Sequence, residues 1–288
     1  PSPWSLGFFG GYSAVETEAV VDTLEILGEG FSVGGQVGYE FPQFWGLDTN
    51  LSLGVEWSEL NNVLEFGTFT VIRSEVGRLP VFLRYNIRNR DAFGSTLANV
   101  SFRYNVGSVV KNGDTVDFQK FRAESNSHFW STRFGLGRMQ KLWGGWTLGL
   151  NFAGQYTDSS LIPAEQFRLG GATSVRGYEQ SEISGDRAIL TRSEIRSPAF
   201  PGRILSLFTA NKQEMAQFVA FIDYGLTRLD SPITGDPVTT DVGGTGFGLR
   251  YQLWGHFLGE VDFAWALLDG SITQARDSVI HFSIQMDF

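Results

Sequence analysis

Along most of the chain, apolar and polar residues alternate with a period of two. This alternation places successive side chains on opposite faces of a β-strand, and no stretch shows a convincing helical period. The clearest case is residues 146–156, where Leu148, Leu150 and Phe152 alternate with small and polar residues. The pattern predicts about twelve strands, each of a length that suits a tilted membrane crossing, roughly 9–11 residues. The predicted strands lie within residues 4–12, 31–41, 47–57, 81–88, 100–106, 130–137, 146–156, 189–196, 218–225, 247–253, 257–265 and 278–288.

The connections between these strands alternate in length. The short ones read PQFWG, NRDAFG, WGG and WGH. Short turns at one end and long loops at the other are the layout of an outer-membrane barrel, with the short side toward the periplasm. One segment, 198–212, breaks this alternation in length, because it is long although it lies at the end of the barrel where the other connections are short. The predicted long loops are residues 15–30, 59–72, 108–126, 159–185, 226–241 and 267–275.

A soluble β-sandwich produces the same alternation, so two further observations decide between the alternatives. The polar rows are rich in Gly, Ser, Asn, Gln and paired charges, which suits a water-filled lumen. The apolar rows carry aromatic residues near their ends, as the aromatic girdles of a membrane barrel require. We therefore expect an all-β fold, an antiparallel transmembrane β-barrel. The girdle residues are Trp4, Tyr12, Trp57, Trp130, Trp146, Tyr156 and Trp265.

Composition excludes several other classes of protein. Charged residues make up 18% of the chain, against about 25% in an average soluble protein. No run of about 18 apolar residues is present, which excludes a helical membrane protein. The net charge of −9 argues against binding to nucleic acid. The chain has no cysteine, so neither thiolate metal sites nor cysteine catalysis are available to it.

The stretch Phe167–Asp186, FRLGGATSVRGYEQSEISGD, predicts a tightly folded loop. Its glycines Gly170, Gly171 and Gly177 tolerate positive φ and close backbone approach. Arg176 lies among them at the expected tip of the turn. An ordinary surface turn with a solvated arginine remains an alternative on these residues alone.

Charged residues on the polar rows supply candidate partners for Arg176. Arg192 and Arg196 flank Glu194 on one lumenal face, and Asp223 has the same parity on the next strand. Because residues at matching depth on antiparallel strands meet across the ladder, Glu194 and Asp223 predict an acidic receptor for a guanidinium. Solvated lumen charges are the alternative.

The sequence offers no catalytic or metal-binding constellation, and we expect no enzyme activity and no cofactor. It contains no G-x-S-x-G elbow. The histidines His128, His256 and His281 are scattered without metal-ligand spacing. On its parity, His281 is a lumen-facing hydrogen-bonding residue rather than a catalytic base.

Several of these motifs together resemble a known family. The elements LGG and VRGY, the SGD that follows, SEIRSP, FIDYG and a last strand ending in phenylalanine occur here in the order and spacing of the two-partner-secretion transporters of the FhaC and ShlB type. That family lies in the superfamily of the outer-membrane assembly factor BamA. The resemblance covers essentially the whole chain, more weakly before residue 75.

The resemblance implies a site and a domain layout. Loop 159–185 folds into the lumen, where Arg176, with Gly177 and Tyr178 of VRGY, binds Asp223 near Glu194. Residues 1–288 are the C-terminal barrel, and the first strand here is strand five of sixteen. We therefore expect four strands, a plug helix, POTRA domains and a signal peptide to precede this chain in a longer protein. The assembly signal of the last strand consists of Phe282, Ile284, Met286 and Phe288.

The resemblance also implies a function. Such a protein moves an unfolded exoprotein of haemolysin or adhesin type across the outer membrane. Its expected partners are that client, outer-membrane lipid and lipopolysaccharide, and the barrel-assembly machinery during biogenesis, with no nucleic acid. The alternatives are an insertase for other outer-membrane proteins, a passive porin and a barrel fused to an enzyme domain.

Overall fold

The structure is a computed structural model that describes residues 2–18, 24–66, 69–201, 214–232, 235, 237–253 and 257–286. Within these ranges the chain forms strands, one short α-helix and one turn of 3-10 helix at Trp143–Gly145. None of the helices there is long and apolar enough to cross a membrane. The elements are β1 (Trp4–Glu18), β2 (Leu24–Glu40), β3 (Leu47–Phe66), β4 (Phe69–Arg78), β5 (Pro80–Asp91), β6 (Gly94–Asn105), α1 (Thr115–Gln119), β7 (Trp130–Lys141), β8 (Thr147–Tyr156), β9 (Phe167–Leu169), β10 (Ile183–Gly185), β11 (Arg187–Arg196), β12 (Phe200–Pro201), β13 (Glu214–Arg228), β14 (Thr239–Leu253), β15 (Phe257–Ala266) and β16 (Ser278–Met286).

Twelve strands follow one another in the hydrogen-bond order β1-β2-β3-β5-β6-β7-β8-β11-β13-β14-β15-β16. The pairs β1–β2, β2–β3, β8–β11, β11–β13, β13–β14, β14–β15 and β15–β16 are antiparallel. β4 pairs with β3 and β12 with β13, whereas β9 and β10 form a separate two-stranded sheet. Each predicted strand overlaps one of the twelve in this order. The prediction of about twelve antiparallel strands is confirmed.

β13 shows why a soluble sandwich does not fit. Its exposed row is apolar, with Phe218 61% and Ile222 56% exposed. Its buried row contains Asp223, which is only 1% exposed. A soluble sheet presents the opposite arrangement, with its polar row in water. An exposed apolar row opposite a buried row that contains a carboxylate is what a strand between lipid and a polar interior requires.

Two of the predicted loops, 15–30 and 59–72, are largely strand. β1 continues to Glu18 and β2 begins at Leu24, while β3 and β4 pair from Ser58↔Arg78 to Phe66↔Phe69. The prediction was wrong because apolar and polar residues alternate only irregularly in these stretches, whereas backbone pairing with a neighbouring strand determines where a strand ends. The predicted loop 226–241 is shortened in the same way, between the ends of β13 and β14.

The predicted polar connection 108–126 contains the helix α1. The prediction that the chain forms no helix was therefore wrong. Of the predicted short turns, PQFWG is a tight hairpin in which Trp45 and Gly46 both have positive φ, as a two-residue loop of type I′ requires. The turn WGH at 254–256 and most of the segment 198–212 lie outside the described residues.

Two compact units are present. The first comprises Pro1–Ile87, Asn99–Arg133 and Tyr156–Gln166, and the second comprises Arg88–Ala98, Phe134–Gln155 and Phe167–Phe288. Each has its own buried apolar clusters. In the first unit the cluster consists of Val76, Phe118, Phe129, Leu161 and Ile162. In the second, one cluster consists of Leu169, Val175, Tyr178, Ile183, Leu190, Val242 and Ala266, and another of Val219, Phe221 and Ala264.

Candidate functional site

The chain between β8 and β11 carries the predicted VRGY loop. Its central part is closed at the base by the antiparallel pairing of β9 with β10. Gly170 and Gly171 follow β9 with φ of +111° and +95°, a region that glycine adopts far more readily than other residues. The chain therefore reverses directly after β9, as the glycine-rich sequence predicts. Val175 and Tyr178 pack completely buried against side chains from β11, β14 and β15.

Arg176 is fully buried and its guanidinium contacts three carboxylates. Nε and Nη2 donate to the two oxygens of Asp223 at 2.7 and 2.8 Å. Nη1 donates to Glu194 Oε1 at 2.6 Å and to Asp262 Oδ2 at 3.1 Å. The guanidinium carbon also lies 3.4 Å from the centre of the Phe221 ring, in cation–π geometry. We call these residues, Arg176, Asp223, Glu194, Asp262 and Phe221, the arginine cluster.

The arginine cluster is assembled from three strands and one loop. Glu194 stands on β11, Asp223 on β13 and Asp262 on β15. Directly across the ladder, Asp223 faces Arg192, and Glu194 faces Phe221. The structure therefore brings Glu194 and Asp223 together diagonally, rather than directly opposite each other as matching depth alone would place them.

Asp262 is a member of the cluster that sequence reasoning missed. It lies on β15 with the parity of Glu260 and Ala264, two places from each. The same period-two rule that selected Asp223 would have selected Asp262. Phe221 was also missed, because an aromatic residue on a polar row carries no signal until its cation is known.

Three further arginines surround the carboxylates. Arg250 donates to Asp262 at 2.5 and 3.0 Å, and Arg196 donates to Glu194 at 2.8 and 3.1 Å. Arg192 instead binds the loop itself, since its guanidinium donates to the backbone carbonyls of Ala172 and Thr173, and its Nε lies 3.7 Å from Asp223. Glu260 lies near Arg250 and is a fourth carboxylate of this region. Together with Arg176, the three arginines bring four positive charges to four negative ones, so the site carries little net charge.

Gly177 and Tyr178 of VRGY continue the docking. Gly177 has φ +97°, and a Cβ there would lie 2.8 Å from the backbone carbonyl carbon of Trp265. Its N–H donates to Nε2 of His281 at 3.3 Å, which gives His281 a hydrogen-bonding position. The Tyr178 hydroxyl lies 2.9 and 2.8 Å from the carbonyls of Gly243 and Leu268, and accepts from both of their N–H groups at 3.1 Å.

A close backbone approach on β14 makes room for the loop. A Cβ at Gly244 would lie 1.8 Å from the carbonyl oxygen of Arg176. No side chain larger than hydrogen fits there unless the loop moves. Gly244 is therefore as much part of the site as the carboxylates, although it contributes no polar side chain.

Glu182 joins the loop to the connection between β15 and β16. Its carboxylate accepts hydrogen bonds from Thr273 Oγ1 at 2.6 Å and from the N–H groups of Thr273 and Ile272 at 2.8 and 3.0 Å. Burial raises the pKa of Glu182, but these hydrogen bonds outweigh it and hold the pKa below its ordinary value. Sequence reasoning did not single out Glu182, because neither partner lies on a strand with a readable parity.

The arrangement fixes a loop rather than activating a group. Arginine stays protonated, and every carboxylate that it contacts is engaged by a cation. In the part of the chain that the structure describes, no three His, Asp or Glu side chains are grouped to hold a metal ion. On β16, Phe282, Ile284 and Met286 form an exposed apolar row. Phe288 and His256 lie outside the described residues, and the assembly-signal role stays a prediction.

Comparisons with known proteins identify the family. The family model described as haemolysin secretion/activation protein ShlB/FhaC/HecB matches residues 47–251, more than half of the chain. This chain belongs to that family. A search of the curated proteins found no match.

Solved structures show which fold this chain shares. It is similar to CdiB from Escherichia coli, with a TM-score of 0.78 at 17% identity over 99% of this chain and 50% of that chain. It is also similar to CdiB from Acinetobacter baumannii, with a TM-score of 0.69 at 18% identity over 99% of this chain and 48% of that chain. BamA from Haemophilus ducreyi lacking POTRA domains 1–3 gives a TM-score of 0.55 at 13% identity over 96% of this chain and 61% of that chain.

This chain therefore spans about half the length of the CdiB chains that it matches. The shared fold and the family model confirm the predicted antiparallel barrel and the predicted family. Family membership also implies an outer-membrane location.

Proposed function

We propose that this chain is the C-terminal barrel of a transporter that secretes an unfolded exoprotein across the outer membrane by two-partner secretion. The client would be of haemolysin or adhesin type, as the family description suggests. The observation that carries the proposal is the arginine cluster in a chain of this family. Three buried carboxylates on three strands hold one loop residue, which a passive pore has no need to bury.

Transport in this proposal makes and breaks no covalent bond. An extended client is held by backbone pairing with exposed strand edges, which recognises peptide rather than sequence. Loop 159–185 lies in the lumen, and Arg176 keeps it against the wall so that the pore has a defined shape. The segments expected before residue 1, including the POTRA domains, would receive the client on the periplasmic side.

The test uses the full-length protein in an outer membrane, together with its cognate exoprotein. Deleting the transporter should abolish export of that exoprotein, while the levels of other outer-membrane proteins stay unchanged. Restoring the full-length protein should restore export. Normal export in the deletion strain would refute the proposal.

An insertase is the second candidate, because the fold is also similar to BamA. The same deletion strain separates the two functions. An insertase predicts lower levels of several outer-membrane proteins, with export affected only indirectly. A passive porin, the third alternative, predicts high and steady conductance of the full-length protein in a planar bilayer, whereas an occluded pore favours the transporter.

A further inference from the structure

Glu165 lies in the first part of the same loop and is almost completely buried, with 3% of its surface exposed. Three arginines from three strands converge on it. Arg78 of β4 forms an ion pair with its carboxylate, and Arg103 of β6 lies 3.8 Å from the same oxygen. Arg133 of β7 donates to the backbone carbonyl of Glu165 at 3.0 Å. A buried carboxylate is tolerated only with such partners.

Apolar contacts hold the neighbouring residues. Leu161 and Ile162 are buried against Val76, Phe118 and Phe129, which come from β4, α1 and the end of the 106–129 loop. Arg122 in that loop donates to the carbonyl of Leu161 at 2.8 Å. The segment 157–166 is therefore docked by both charge and apolar packing. Every one of these contacts lies within the first compact unit.

The chemistry at Glu165 is that of the arginine cluster with the signs reversed. At Arg176, the loop supplies the cation and three strands supply carboxylates. At Glu165, the loop supplies the carboxylate, Arg78 and Arg103 from two strands face it, and Arg133 from a third strand binds the backbone carbonyl of the same residue. The two residues are eleven positions apart, and the partners of Arg176 all lie in the second unit. No residue is a partner of both Glu165 and Arg176 in these contacts.

We propose that Glu165 is a second positioning residue of the loop, which holds residues 157–166 in place independently of Arg176. When the arginine cluster opens, only residues 167–185 are free to move, and the first part of the loop stays docked. Glu165 thereby limits how much of the loop leaves its position during transport. The inference rests on the proposed function for this last consequence, although the anchoring itself does not require a client.

The experiment uses the full-length protein in the outer membrane and a membrane-impermeant maleimide. This chain contains no cysteine, so Ile162→Cys and Val175→Cys each add one probe to it, the first in the Glu165 segment and the second beside Arg176. Both positions are buried when the loop is docked. Each probe is combined with Glu165→Gln, with Arg176→Lys, or with the exposed control Glu124→Gln.

Glu165→Gln should raise the labelling rate of the probe at 162 by about tenfold or more, because the negative charge that pairs with Arg78 and Arg103 is lost, and should leave the probe at 175 within a factor of about two. Arg176→Lys should do the reverse, and Glu124→Gln should change neither. If Glu165→Gln raises the labelling rates of both probes equally, or raises neither, the inference is overturned.

Folding is checked by heat-modifiable migration on gels. If Glu165→Gln does not insert, Arg78→Lys, which keeps the charge of the partner and removes the guanidinium, is used instead. Raised labelling of the probe at 162 with an unchanged probe at 175 supports the positioning role, whereas unchanged labelling of both probes or equal exposure of both overturns it. Secretion is measured separately. If the wild type secretes nothing while the probes behave as expected, the proposed function fails and this inference stands.

Discussion

Replacing Arg176 by lysine tests whether the arginine cluster depends on the shape of the guanidinium or only on its charge. Arginine uses three nitrogens to donate four side-chain hydrogen bonds to three carboxylates. An ammonium group concentrates its three donors at one point and cannot bind Asp223 through two parallel bonds while also reaching Glu194. The charge therefore remains, but about half of the contacts are lost.

The magnitude follows from those contacts. A hydrogen bond to a charged group contributes about 1.5–3 kcal/mol, so the loss of two costs about 3 kcal/mol at the lower value. At 1.36 kcal/mol for each factor of ten, the released loop becomes about 100-fold more populated. Arg176→Ala removes the charge as well and leaves three buried carboxylates without it, for which about 3–5 kcal/mol is the usual cost.

The assay has two measurements on the full-length protein. Maleimide labelling of Val175→Cys should rise by about 100-fold in Arg176→Lys if opening is fast and reversible. Export of the cognate exoprotein into the medium should fall, more severely in Arg176→Ala. The matched control is Arg276→Lys, because Arg276 is exposed in the β15–β16 connection and lies outside the cluster. Heat-modifiable migration should show that all variants are inserted.

Wild-type export and unchanged labelling in Arg176→Lys and Arg176→Ala would refute the reasoning. Unchanged labelling with lost export would refute the docking role alone, because the loop would then stay in place without its arginine.

Three further predictions concern the same loop. Gly244→Ala should expose the probe at 175 as strongly as Arg176→Lys, because its Cβ would meet the Arg176 carbonyl, whereas Gly259→Ala, whose nearest neighbour would be 3.8 Å away, should not. The exchange Arg176→Asp with Asp223→Arg should not restore export, since the new carboxylate at 176 would face the two acids that remain; full recovery would contradict the three-carboxylate geometry. Because the folded pKa of Glu182 lies below its ordinary value, its contribution is present above the ordinary pKa and is lost as the pH falls through the lowered one. Protease cleavage of the 267–277 connection should therefore increase on acidification, and Glu182→Gln should remove most of that pH dependence.

Period-two parity predicts which face of a strand a residue occupies, and this was enough for Glu194, Asp223, Arg192 and Arg196. All four lie around the loop that carries Arg176. Parity does not reveal the register between strands, which decides that Asp223 faces Arg192 across the ladder rather than Glu194. A period of two gives no information about the register between neighbouring strands, because register depends on packing along the entire sheet.

Glu165 shows a different limit. Its partners Arg78, Arg103 and Arg133 are far apart in sequence and meet only because β4, β6 and β7 bring them to one place. Residue 165 itself lies in a stretch with no periodic signal. The hairpin of β3 and β4 was missed for a similar reason, because residues 59–72 show no regular alternation of apolar and polar residues.

The three carboxylates of the arginine cluster stand on β11, β13 and β15, within the run β11-β13-β14-β15. If β13 slid by two residues against β14, Asp223 would move by about 6.8 Å, and a slide by one residue would turn it to the opposite face. Either displacement breaks the ion pairs. One guanidinium that is bonded to carboxylates on three strands therefore opposes any sliding of those strands against one another.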